Sequence, residues 1–162
     1  MGLAEMTKAL IYNQYNSEAL RVVALPGIAT GIGTTATSGA ALTWGALIDI
    51  ALPAAVLVDT LVIGIAVDTP SVAEIYTIEI GTTGGLANAA AVTAAGAAAI
   101  LAASRRQFRC EIASDASGYA PYYFKEPVFY AALTEGIIGR IYTVGGADTL
   151  NLSAICLQLY KT

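Results

Sequence analysis

Short runs of β-branched and aromatic residues, cut at intervals by Gly, Pro, Asp, Thr and Ser, constrain this chain more than any other feature. Residues 73–81, AEIYTIEIG, show it best. An extended backbone places Ile75, Thr77 and Glu79 on one face and Tyr76, Ile78 and Ile80 on the other. A period of two, repeated in short segments with turn residues between them, is the pattern of an antiparallel sandwich or barrel.

The same alternation predicts strands over 18–24, 42–50, 55–67, 107–113, 139–144 and 149–160. The single tryptophan, Trp44, falls in the second of these, and Gly64 in the third marks a bulge or a point of close backbone packing. Residues 30–39 are rich in Gly, Thr and Ser with little apolar mass and are expected to form a loop. Residues 81–85 form a turn, and 145–148 a four-residue hairpin connection between the last two strands. The alanine-rich tract 87–103 sets two rules against each other. Alanine favours helix, but Val92, Thr93, Gly96 and the lack of charged pairs at four-residue spacing weaken one, so strand or loop is expected. Ser104, Arg105 and Arg106 read as a basic break after that tract. Residues 119–130 are aromatic and carry Pro121 and Pro127, which suits an edge strand or a loop docked on a partner.

Composition narrows the function. The 162 residues contain no histidine and two cysteines, with 12% charged against 56% hydrophobic residues. That length suits one domain, 18–162, preceded by an extended arm over 1–17, whose Tyr12 and Tyr15 have little power to build a core but suit contact with a neighbouring copy. Eight basic against twelve acidic residues give a net charge of -4, so there is no basic field for nucleic acid. The mean hydropathy of +0.65 exceeds what a monomer of this size buries with ease, and the expected partner is another copy of the chain. Residues 86–103 are uncharged, but alanine gains too little from hydrocarbon for a membrane span. The first seventeen residues lack the features of a secretory signal, so synthesis in the cytoplasm is expected.

Catalytic and metal constellations are equally sparse. Without histidine no Ser-His-Asp relay can form, and Gly31, Gly33, Thr34 and Thr35 lack the Lys and the following helix of a phosphate loop. Glu74 and Glu79 lie five apart, on opposite faces of a strand, and read as solvated edge charges. Asp49, Asp59 and Asp68 could meet around calcium, but turn and capping roles are favoured. Cys110 and Cys156 have no neighbouring Cys or His; they read as buried apolar thiols, with a disulfide open if their strands are neighbours. No catalytic residue, metal or cofactor is expected. Arg105, Arg106 and Arg109 form the basic cluster, and Arg105 and Arg109 share a strand face that could pair with acidic residues of a neighbouring subunit. Tyr119, Tyr122, Tyr123 and Tyr130 suit either interface anchors, the favoured role, or, with Trp44, a platform for host carbohydrate.

Three segments in order, Trp44 through IEIGTTGG, the proline-bearing aromatic stretch, and EGIIGRIYTVGGADTLNLSAI, resemble small virion proteins of tailed bacteriophages. Ile78 to Gly81 matches that group's E-I-G-T-G-like turn, Glu135 to Ile141 the Gly and Arg of its P-A-G-T-R-I-like step, and Ala147 to Ser153 its D-T-V-N-V-S-like strand. Glu135, Ile137 and Ile138 depart from the pattern, as does the alanine tract. The resemblance implies a jelly-roll-like antiparallel β-sandwich in the virion, without catalytic residues. It further implies a trimeric capsid decoration or cement protein bound to the major capsid protein, or else a tail-fibre, tail-tip or baseplate adhesion module.

Overall fold

A computed structural model describes residues 20–25, 33–52, 60–112, 120–130 and 135–159. The arm, with Tyr12 and Tyr15, lies outside them. The described chain forms nine strands: β1 (Leu20–Leu25), β2 (Thr34–Thr37), β3 (Ile48–Ala51), β4 (Thr60–Asp68), β5 (Ile75–Thr82), β6 (Ser104–Glu111), β7 (Ala120–Tyr130), β8 (Ile137–Thr143) and β9 (Thr149–Leu159). Helices α1 (Ala89–Ala94) and α2 (Ala97–Ala103) lie between β5 and β6. Among the described residues no helix is long and apolar enough to cross a membrane.

All pairings are antiparallel. One sheet runs β1-β9-β4-β7, with β2 beside β1 along the same edge of β9; the other runs β3-β8-β5-β6. The chain changes sheet at every connection from β2 onward except β5 to β6. This is the jelly-roll order of a double-sheet sandwich. Ile65, Val67, Leu152 and Ala154 of the first sheet meet Tyr76, Ile78, Ile80 and Ile141 of the second in one buried core. Each isoleucine taken fully out of water contributes about 1.5–3 kcal/mol, so this inner face dominates the stability. The alternation of 73–81 thus emerges as expected, with Tyr76, Ile78 and Ile80 inside.

Gly64 fulfils both of its expected roles. The register of β4 shifts between Val62 and Gly64 against both neighbours, and a Cβ at Gly64 would lie 2.3 Å from the carbonyl oxygen of Tyr122. β7 is the edge strand that its prolines suggested.

Several local expectations give way to tertiary pairing. Thr34–Thr37, within the expected loop, is an edge strand on β9: its β-branched residues suit a ladder, and Ala36 is the apolar mass it buries. Of the strand expected over 42–50 only its end forms. Leu42 has φ +58°, Thr43 N–H bonds to Ala40 O, and Leu42 N–H bonds to Thr143 O, so the chain turns before it extends. The alanine tract is helical. Asn88 Oδ1 caps α1 by accepting from Ala91 N–H at 2.8 Å, and Gly96, at φ +94°, separates α1 from α2. Helix wins because Ala89, Val92 and Ala103 bury against Ile138. No break follows it, for β6 begins at Ser104. The connection 144–148 is not a hairpin: β8 and β9 belong to different sheets.

Candidate functional site

The outer face of the second sheet carries an aromatic and charged cluster. Antiparallel register sets Glu79 of β5 opposite Arg140 of β8, and Thr77 opposite Tyr142. Arg140 Nε lies 2.5 Å from Glu79 Oε2, and Arg140 Cζ stacks 4.6 Å from the centre of the Trp44 ring. Tyr142, two residues along the same face of β8, meets Trp44 edge-on at 4.7 Å and 89°. Glu79, expected as a solvated edge charge, is buried and ion-paired. The strand pairing, which sequence spacing does not show, supplied its partner.

Trp44 also lines a cleft of about 380 Å³ where the segment leading into β3 passes the edge strand β2. Thr35, Thr37, Ser38, Ala46 and Ile48 form its other side-chain walls. Gly45 is required at its floor, since a Cβ there would fall 1.7 Å from Thr37 O.

The tyrosines expected to act together are divided. Adjacent residues of a strand face opposite ways, so Tyr122 packs edge-to-face on Phe108 at 5.1 Å and donates its hydroxyl to Glu111 O at 3.1 Å, while Tyr123 is 62% exposed. Trp44 sits beside β8, next to the opposite edge of the sandwich, so no composite platform with Tyr122 forms. Tyr130 lies in β7 and Arg105 and Arg106 in β6; Tyr119 lies outside the described residues. Arg109 is exposed on β6, opposite Thr77.

At the end of the sandwich where β4 meets β5 and β8 meets β9, Glu74 Oε2 accepts from Gly145 N–H at 3.0 Å, while its other oxygen is buried without a hydrogen-bond partner. Burial raises the Glu74 carboxyl above its ordinary pKa, and the neighbouring Asp148 side chain raises it further. Ser38 Oγ accepts from Asp148 N–H at 2.9 Å and donates to Gly146 O, tying β2 to the same turn.

The aspartates hold local structure. Asp49 Oδ1 accepts from Ala89 N–H at 2.7 Å at the start of α1, and Asp68 Oδ1 from Thr69 N–H at 2.8 Å. They lie at opposite ends of the sandwich, and Asp59 is outside the described residues. Among the described residues no three His, Cys, Asp or Glu side chains are grouped to hold a metal ion. Cys110 on β6 and Cys156 on β9 are buried thiols in different sheets, and burial pushes Cys110 up to about 12.

No protein family matches the chain, and no curated protein or solved structure matches it.

Proposed function

We propose that this chain is a structural protein of a tailed-bacteriophage particle, a capsid decoration or cement subunit that stabilises the shell by contacts between its own copies and with the major capsid protein. The observation that carries the proposal is the placement of large apolar side chains on the connections at both ends of a jelly-roll sandwich. Leu42, Val72 and Val144 are exposed at one end, and Leu52, Leu86 and Leu101 at the other. Leu42 is the sharpest case. It is 67% exposed and held in the left-handed region, a conformation that costs a non-glycine residue about 1–2 kcal/mol. Leu101 on α2 is 76% exposed while Ala103, two residues on, is buried. Apolar surface so arranged gains most when another subunit covers it.

The test is the mass in solution, by light scattering, of the full chain and of a form lacking residues 1–16. A stable oligomer, expected as a trimer, that loosens without the arm or on Leu42→Glu with Leu101→Glu supports the reading. A folded monomer in every form overturns it.

A further inference from the structure

We infer that the cleft beside Trp44 is a binding site for a neutral sugar. This does not rest on the assembly reading and holds for a monomer as well as an oligomer.

The Trp44 ring is held in place before any ligand arrives. Arg140 stacks on it at 4.6 Å and Tyr142 meets it at 4.7 Å, both from the same face of β8, and Arg140 is itself anchored on Glu79 at 2.5 Å. An aromatic ring with so many fixed neighbours loses little conformational freedom on binding, which leaves more of the contact energy for affinity. A structural aromatic is normally immobilised by being buried. Trp44 is half-buried and forms a wall of the cleft, so this surface is fixed and accessible together.

The chemistry of the lining selects the ligand class. Indole and the Ile48 side chain offer apolar surface, while Thr35 and Thr37 stand on one face of β2; the Thr35 hydroxyl donates to Asn151 Oδ1 at 2.8 Å and so offers a sugar its lone pairs as an acceptor. A sugar ring has the complementary character: an apolar C–H face to lie on an aromatic ring and a rim of hydroxyls to exchange hydrogen bonds. At about 380 Å³ the cleft is at the small end of ligand sites, suited to one or two rings of a glycan. The Arg140 charge is already compensated by Glu79 and the chain carries a net -4, so an acidic sugar gains nothing over a neutral one.

The single tryptophan makes the test direct, because its emission reports this site alone. The full chain is titrated with maltotetraose, cellotetraose, chitotriose and N-acetyllactosamine, with sialyllactose as the acidic comparison. A saturable emission shift with at least one neutral sugar, at millimolar half-saturation and no tighter for sialyllactose, is expected. By calorimetry, Thr35→Val and Thr37→Val should each weaken that binding about 2–10-fold, the range for loss of one hydrogen bond, and Trp44→Phe by more. Tyr123→Ala, on β7 at the opposite edge of the sandwich, should leave it unchanged. Absence of a saturable shift with every sugar overturns the inference. So does binding that survives both threonine substitutions and Trp44→Phe in variants whose circular dichroism matches the parent.

Discussion

Arg140 Nε and Glu79 Oε2 are 2.5 Å apart across the β5–β8 pair, with only 18% and 9% of their side chains exposed. A bridge this far withdrawn from water is costly to break from one side, since the remaining charge loses both its partner and its solvation.

Arg140→Met should therefore destabilise the fold by about 2–4 kcal/mol, leaving Glu79 buried and uncompensated. Glu79→Leu combined with Arg140→Met should recover most of that loss. Urea denaturation of the two variants checks this, and equal losses in both would show that the pair itself is not the cause.

Glu74 makes stability depend on pH. Its folded pKa is raised above the ordinary 4.5, chiefly by burial and then by Asp148, so the folded state favours the protonated form. The resulting stabilisation is fully present below about 4.5, the value in the unfolded chain, and is lost as pH rises through the folded value. Glu74→Gln, which keeps an acceptor for Gly145 N–H, should raise the melting temperature at pH 7. The variant's advantage should shrink as pH falls towards 4, and an advantage independent of pH would contradict the assignment.

Cys110 should resist chemistry while the chain is folded. With its thiol pushed up to about 12 by burial, almost no thiolate exists at pH 8. Labelling of this residue by a thiol reagent at pH 8, followed by peptide mapping, should track the fraction of chain unfolded in urea. Rapid labelling of the native protein would show that the site opens locally.

Gly64→Ala should cost about 2–3 kcal/mol, as expected of overpacking against backbone, because its Cβ would press to 2.3 Å from Tyr122 O. Phe108 and Tyr122 sit near that point, so the near-ultraviolet aromatic signal should change as well. Unchanged stability would mean that the β4–β7 bulge relaxes freely.

The alternation of 73–81 by itself divided β5 into two faces, because a strand turns its side chains at a period of two whatever it pairs with; packing of the two sheets decided that Tyr76, Ile78 and Ile80 are the inner set. The prolines of β7 narrowed that segment to an edge strand or a docked loop, and Gly64 to a bulge or a point of close packing, since these follow from a missing donor or a missing Cβ; the pairing with β4 alone made β7 an edge strand. Tertiary structure alone decided the rest. Thr34–Thr37 became a strand because β9 offers it an edge, and the alanine tract became helix because Ile138 offers a surface on which Ala89 and Val92 bury. The turn at 144–148 crosses between sheets because a short glycine-bearing connection fits a hairpin or a crossover equally well, and only the pairing of β9 with β2 and β4 separates the two. The cluster of Trp44, Glu79, Arg140 and Tyr142 was likewise hidden. Its members are up to 98 positions apart in the chain, counting from 44 to 142, and cross-strand register makes them neighbours.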